Sequence, residues 1–223
     1  MLAGKAIMIN WCNVAEPDRA AYYDWHGREH MVGRVAIPGF QRGRRLIAVR
    51  AIRNFLNFYE VADLSVLTGD EYRAKANAPS ELTRSTTRLI KDSIRALAKV
   101  RMSFGVGDGG YMLTLRLDPP ADIEAKLGRY LAQALERIAT MSGITGAHFC
   151  VADQAASTFV SEERKGRPTI VPNWIVMLEG VSLDALERAC DAHLAQALSA
   201  NGYDGAVERD TYSQQITVSK PSQ

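Results

Sequence analysis

The chain has 223 residues, of which 47% are hydrophobic and 23% are charged, and its formal net charge is +2. This composition is ordinary for a globular protein, and the small charge argues against nucleic-acid binding, which needs a concentrated basic surface. No apolar run approaches the ~20 residues of a membrane-spanning helix. Three widely spaced cysteines, an odd number, are typical of a reduced interior. We therefore expect a cytoplasmic protein that binds neither nucleic acid nor a membrane.

The first half of the sequence predicts the element order β-α-β-β-α-β from its hydrophobic alternation and turn residues. The predicted strands are residues 5–12, 40–49, 54–61 and 99–106. The predicted helices are residues 17–32 and residues 64–97, the latter interrupted at residues 78–80. Pro17 and Asp18 are typical of a first helical turn, and Pro38-Gly39 is typical of the turn that follows.

The second half repeats this order. Its predicted strands are residues 111–117, 144–152, 173–179 and 208–218, and its predicted helices are residues 121–140 and 182–200. Each β-α-β-β-α-β unit is a ferredoxin-like repeat with both helices on one face of a four-stranded antiparallel sheet. Because the other face is bare, we expect the two sheets to pack together into one barrel-like core. The glycine-rich segment 105–110 divides the chain into repeats 1–107 and 108–223.

Several first-half motifs carry a resemblance to a known family. The run Tyr23-Asp24-Trp25-His26 with Glu29-His30-Met31 is similar to a W-[YH]-x-x-E-H helix, and residues 37–45 to a (I/V)-P-G-F-x-x-x-R-R strand. Tyr59-Glu60 with Leu67, and Tyr72 with Asn77 and Pro79, are also similar to motifs of the same group. These residues resemble the dimeric α+β barrel superfamily, near its EthD-like branch, over the first half by motif and over the second half by architecture.

The resemblance implies an α+β fold of two tandem ferredoxin-like repeats, packed sheet to sheet as a dimeric α+β barrel within one chain. It also implies a cavity between a sheet and its covering helices. It does not imply one activity, because the superfamily includes monooxygenases, isomerases, cyclases, decarboxylase-like enzymes and haem proteins.

The segment Trp25-His26-Gly-Arg-Glu29-His30 contains H-x-x-E-H, the inverted signature of zinc peptidases. Such a site needs a third ligand from a separate helix. Glu71 and Glu81 lie at suitable positions, but neither belongs to a recognisable ligand motif. We therefore expect no metal here.

Acid–base chemistry is the alternative use of this segment. Helical periodicity predicts a buried stripe formed by Ala21, Trp25 and Val32. Glu29 lies at its edge, where partial burial raises the pKa of a carboxyl group, and an adjacent imidazole can share its proton. The expected catalytic residues are His30 and Glu29, with His26 orienting them. In the structural alternative, Glu29 pairs with an arginine such as Arg44 and joins the helix to the sheet.

Substrate-binding candidates surround these catalytic candidates. Arg42 and Arg44 share one strand face and could hold a carboxylate in a bidentate manner, or form salt bridges facing solvent. The other candidates are Tyr22, Trp11 and Asn77. The second-half helix, residues 121–140, has no counterpart of Glu29-His30, so we expect one specialised cavity per chain, in the first half.

These residues suggest a cofactor-independent enzyme that uses proton transfer on a small carboxylated or cyclic metabolite, of the lyase or isomerase type. No metal and no redox cofactor are expected. The alternatives are a non-catalytic protein of the same fold that binds a small ligand or is structural, and a haem protein that uses His193. The expected partner is a small-molecule ligand, and a homodimer remains open.

Overall fold

Eight antiparallel strands close into a barrel in the computed structural model, which describes residues 1–220 apart from the side chains of residues 196 and 197. The strands are β1 (Ala6–Asn13), β2 (Phe40–Arg50), β3 (Phe55–Val61), β4 (Lys91–Gly105), β5 (Tyr111–Leu117), β6 (Ile144–Ala152), β7 (Trp174–Gly180) and β8 (Glu208–Ser219). Their order around the barrel is β1-β3-β2-β8-β5-β7-β6-β4.

The barrel consists of two four-stranded sheets with the same internal order, β4-β1-β3-β2 and β8-β5-β7-β6. They join where β2 pairs with β8 and where β4 pairs with β6, so hydrogen bonding runs around the whole barrel. The predicted fold class, α+β with two ferredoxin-like repeats packed as an α+β barrel, is confirmed. The division at residue 107 stays a prediction, and residues 221–223 of the second repeat lie outside the described part of the chain.

Helices cover the outside of both sheets. We number them α1 (residues 19–35), α2 (Leu64–Thr68), α3 (Asp70–Asn77), α4 (Glu81–Thr87), α5 (Ala121–Ile138), α6 (Gln154–Ser157) and α7 (residues 183–200). Ser182 caps α7 by accepting a hydrogen bond from the amide of Ala185, as its position before an apolar run predicts. In the described residues, no helix has the length and apolar character needed to cross a membrane.

The prediction of helix up to residue 97 is wrong, because β4 already begins at Lys91. Alanine, leucine and arginine favour helices, which explains the prediction. Ile94, Ala96 and Ala98 pack inside the barrel, whereas Leu97 packs under the helices. Pairing with β1 and burial on both faces therefore override the local propensity. At the other end of β4, Gly105 has φ +120°, and a Cβ there would lie 2.2 Å from the carbonyl oxygen of Thr145.

The two halves differ in how their helices pack on the sheet. In the second half, one continuous apolar cluster fills the space under α5 and α7. In the first half the apolar side chains form two separate clusters, one around Met8 and Tyr59 and one around Tyr22 and Trp25. The gap between these two clusters is the cavity described below.

A long connection between β6 and β7, residues 153–173, crosses onto the first half. The amide of Arg95 donates to the carbonyl oxygen of Ile170 at 3.1 Å, and the amide of Leu97 donates to the hydroxyl of Ser157 at 2.9 Å. The amide of Glu162 donates to Oδ1 of Asn77 at 3.1 Å. We call residues 153–173 the covering segment, because it closes one side of the first-half cavity.

Candidate functional site

A cavity of about 60 Å³, the inner cavity, lies between the outer face of the first-half sheet and helix α1. The covering segment closes it with side chains that include Glu163 and Arg164. A second space of about 130 Å³, the outer cavity, adjoins it and shares three residues, His30, Arg34 and Glu163. Strands β1, β3 and β4 form the floor of the inner cavity through Met8, Asn10, Asn57, Tyr59 and Arg95.

Helix α1 contains a π-helical turn at His26–His30, and this turn shapes the site. The predicted buried stripe is wrong at Ala21 and at Val32, which is 49% exposed; Tyr22, Trp25 and Met31 are buried. A π turn takes more residues than an α turn, so side chains beyond it are rotated relative to the α-helical expectation. Such turns are frequent at functional sites.

The π turn brings His26 and His30 together on the cavity wall, with ring centroids 5.4 Å apart and nearly parallel planes. Burial, followed by the neighbouring His30 and Arg45, lowers the pKa of His26 well below its usual value. Burial, followed by the charges of Arg34 and Arg167, does the same to the pKa of His30. Both imidazoles are therefore neutral at neutral pH.

The two histidines differ in their partners. Nε2 of His26 lies 3.5 Å from the Tyr59 hydroxyl, and its buried Nδ1 has no hydrogen-bond partner in the described part of the chain. Nδ1 of His30 lies 3.7 Å from Oε1 of Glu163, too far for a hydrogen bond but within reach of an ion pair once the ring is protonated. Glu163 also forms an ion pair with Arg34.

The hydrogen bonds of Glu29 go to helix α4, and none joins it to either ring in the described residues. Its Oε1 accepts hydrogen bonds from the hydroxyls of Ser80 at 2.6 Å and Thr83 at 2.9 Å, and Thr83 in turn accepts from Nε1 of Trp25 at 2.9 Å. The carboxylate thus joins α1 to α4 and lines the outer cavity. Within residues 1–220, no three His, Cys, Asp or Glu side chains are grouped closely enough to hold a metal ion.

The structure separates the predicted substrate-binding residues. Tyr22 lines the inner cavity, and its hydroxyl donates to Oδ1 of Asn57 at 3.1 Å. Asn77 does not line that cavity but holds the covering segment in place through Glu162. Arg42, Arg44 and Trp11 lie elsewhere.

Arg42 and Arg44 belong to an ion-pair network in and at the end of the barrel. Arg42 pairs with Glu60 and Asp108, both at 2.6 Å. Arg44 is only 1% exposed and holds Glu179 through two hydrogen bonds of 2.6 and 2.9 Å. Trp11 also packs inside the barrel.

Several cavity residues escaped the sequence reasoning, namely Arg34, Tyr59, Arg95, Glu163, Arg164 and Arg167. The length and charge of one connection could have indicated three of these residues, Glu163, Arg164 and Arg167. The connection between β6 and β7 is far longer than the matching connection between β2 and β3, residues 51–54, and it carries a dense run of charges. Binding and catalytic residues lie disproportionately often on such loops.

Acid is expected to destabilise the fold through His26 and His30. Their pKa values are lower when folded than unfolded, so the unfolded chain binds more protons as the pH falls below about 6.5. The free energy of unfolding therefore has its full value above the pKa of the unfolded histidines and declines below it. Each histidine contributes a decline of up to about 1.4 kcal/mol for each pH unit. Urea unfolding between pH 7.5 and 5 should show a shallower decline for His26→Gln than for the wild type. Parallel curves would contradict this account of the buried histidines.

No family model and no curated protein matches this sequence. Solved structures do match it in fold. A candidate monooxygenase from Fusobacterium nucleatum subsp. nucleatum superposes with a TM-score of 0.66 at 8% identity, over 100% of this chain and 98% of that chain. An anthrone oxidase-like protein superposes with a TM-score of 0.63 at 13% identity, over 97% and 93%. A heme-binding protein from Thermus thermophilus superposes with a TM-score of 0.53 at 11% identity, over 96% and 92%.

These comparisons support the dimeric α+β barrel fold and correct the predicted chemistry. The neighbours carry names that point to oxidation or haem, and the prediction of a cofactor-independent lyase or isomerase is wrong. His26 and His30 suggested proton transfer, and proton transfer by an imidazole does not distinguish a lyase or an isomerase from an oxidative enzyme. Proton transfer is equally a first step of many oxidations.

The residues present do not fit a haem. The inner cavity, where His26 and His30 lie, is about 60 Å³, whereas pockets for drug-sized ligands measure roughly 300–1,000 Å³, and a haem is at least as large as such a ligand. In the second half, the space beneath α7, the helix that carries His193, is filled by side chains such as Leu131, Leu194 and Trp174. The haem alternative that uses His193 therefore has no room in this structure.

Proposed function

We propose that this protein is an oxidative enzyme of the monooxygenase type, whose reaction takes place in the inner cavity. The observation that carries the proposal is the pair of neutral, stacked imidazoles, His26 and His30, on the wall of a partly enclosed cavity, where His30 also lies beside Glu163. Two solved structures of the same fold are named a candidate monooxygenase and an anthrone oxidase-like protein, and this shared fold supports the proposal. Membership of the EthD-like branch, a cytoplasmic location and a homodimer all stay predictions.

His30 is the proposed proton acceptor. A neutral imidazole can take a proton from an acidic carbon or hydroxyl group of the substrate, and the resulting imidazolium gains an ion pair with Glu163. The positive charges of Arg34 and Arg167 lower the pKa of His30, which makes it a weaker base. The same charges also lower the pKa of an acidic substrate bound beside them, so the difference between the two pKa values changes less than the pKa of His30 alone.

His26 and Tyr59 are proposed to position the substrate. The free Nδ1 of His26 and the Tyr59 hydroxyl offer polar contacts at the cavity wall, while Tyr22 and Trp25 supply apolar surface. Glu29 keeps α1 in place through Ser80 and Thr83 and takes no part in the proton transfer.

The overall reaction balances with molecular oxygen as the oxidant. An activated CH2 group loses one proton to His30, and the electron-rich anion then transfers electrons to O2. One oxygen atom forms a new C=O bond, and the other leaves as water with the two hydrogens of the CH2 group. Exclusion of bulk water by the covering segment protects the reactive anion from reprotonation.

Isotope labelling tests the proposal. The protein is incubated under 18O2 with single-ring aromatic acids and ketones that carry an acidic CH2 group. We expect a product with one 18O atom, seen by mass spectrometry, together with protein-dependent oxygen uptake. A transformed product that carries no 18O from 18O2 would contradict the proposal, and so would the absence of oxygen uptake with every compound.

A further inference from the structure

Positive charge is in excess at the inner cavity. Four arginines line it, Arg34, Arg95, Arg164 and Arg167, whereas Glu163 is the single carboxylate among the described lining residues. Glu163 pairs with Arg34, which leaves three guanidinium groups without a carboxylate partner in the described chain. A buried charge without a counter-charge is costly, so such an arrangement indicates a site for an anion.

Among the three arginines without a carboxylate partner, Arg95 and Arg164 also have a buried nitrogen atom without a hydrogen-bond partner in the described residues. Arg95 is 4% exposed and donates through Nη2 to the Tyr72 hydroxyl at 2.8 Å, but its buried Nη1 has no partner in the described residues. Arg164 is 7% exposed, and its buried Nη2 is likewise without a partner there. Unsatisfied buried donors are rare in folded proteins, and a bound water or ion is one reason for them.

The electrostatic surroundings of Arg164 point the same way. Burial, followed by the like charges of Arg95 and Arg167, lowers the pKa of Arg164 to about 9. Three cations thus repel one another on one side of the cavity, and an anion between them would relieve this repulsion.

The aromatic residues of the cavity wall and the cavity volume limit which anions can bind. Tyr22, Trp25, Tyr59 and Tyr72 surround the cavity with aromatic surface. Its volume of about 60 Å³ holds roughly two to five water molecules, and the outer cavity adds about 130 Å³. Together these spaces suit one aromatic ring with a carboxylate, and they are too small for a polycyclic compound.

We propose that the inner cavity binds a small aromatic carboxylate, with its carboxylate group between Arg95 and Arg164 and its ring against Tyr22 and Tyr59. The bound acid is the substrate class of the proposed oxidation, and in that respect the inference rests on the proposed function. Binding itself requires no oxidation and is tested without turnover.

Titration calorimetry with benzoate, and with its neutral isostere benzamide, tests the charge requirement. We expect benzoate to bind the wild type at least tenfold more tightly than benzamide. Arg164→Gln should weaken benzoate binding about ten- to hundredfold, because one charge-assisted contact is lost. Arg101→Gln removes the same charge at an exposed position outside the cavity and should leave the affinity unchanged. Equal affinities for benzoate and benzamide, or an unchanged affinity in Arg164→Gln, would overturn the proposal.

Thermal unfolding separates a binding role of Arg164 from a structural role. Without ligand, Arg164→Gln should melt at the wild-type temperature or above it, because an unpaired buried charge is removed. Benzoate should raise the melting temperature of the wild type and not that of the variant. A variant that melts well below the wild type without ligand would overturn the proposal. Benzoate binding together with no 18O incorporation from any compound would contradict the proposed oxidation and leave the anion site supported.

Discussion

Replacing Arg44 by Met should lower the free energy of unfolding by about 3–5 kcal/mol, the usual cost of removing one partner from a buried ion pair. Arg44 is 1% exposed and lies between two buried carboxylates, Glu179 at 2.6 Å and Glu60 at 3.3 Å. Burial alone would raise the pKa of Glu179, but hydrogen bonds from His148 and Arg44 outweigh this effect and hold the pKa well below its usual range. Without Arg44, Glu179 stays charged in the interior or takes up a proton, and either outcome destabilises the barrel.

A second variant distinguishes a lost ion pair from lost packing. The double change Arg44→Met with Glu179→Met should recover a large part of the stability, because no unpaired carboxylate remains. Arg28 forms an exposed ion pair with Asp24, and Arg28→Met should produce no measurable change in urea unfolding. A double variant whose loss equals or exceeds the sum of the two single losses would show that the ion pair is not the source of the effect.

Replacing His30 by Gln should lower the turnover of the oxidation about 10²- to 10⁴-fold, the usual contribution of a positioned proton acceptor. Glutamine keeps a polar side chain of similar size but cannot accept a proton at neutral pH. The loss should be in kcat, with a smaller change in KM, because the arginines that hold the anion remain. Oxygen uptake at several substrate concentrations gives both constants.

The matched control for this experiment is His193→Gln. His193 lies on α7 in the second half, away from the inner cavity, so the same substitution should leave turnover unchanged. A His30→Gln variant that folds normally and keeps wild-type turnover would refute the assignment of His30.

Most of the fold could be predicted from sequence because its signals are local. Alternating apolar residues defined strands such as Tyr111–Leu117 and Ile144–Ala152, which the structure confirms at the predicted bounds. The repeated order β-α-β-β-α-β then required each bare sheet face to be buried. The prediction of helix up to residue 97 failed because residues 93–98 are buried on both faces of the sheet. Such a strand lacks the alternation of apolar and polar residues by which a half-exposed strand is recognised.

The site was predictable only in part. The motif around Trp25 located His26 and His30, although the π turn that sets their orientation has no obvious sequence signature. Strand alternation correctly placed Arg42 and Arg44 on one face, but both faces of a closed barrel are buried, and the sequence does not say which face is the interior. Arg44 therefore looked like a substrate clamp although it lies inside the barrel. Arg164 reaches the cavity across the interface between the two repeats, a contact that no local pattern reveals.

The crystal structure of the protein soaked with benzoate tests most directly the claim that the first-half cavity is the functional site. The account predicts benzoate under α1, with its carboxylate within hydrogen-bond distance of Arg95 and Arg164 and its ring against Tyr22 and Tyr59. Benzoate bound beneath α5 and α7 in the second half, or in the barrel beside Arg44, would contradict it.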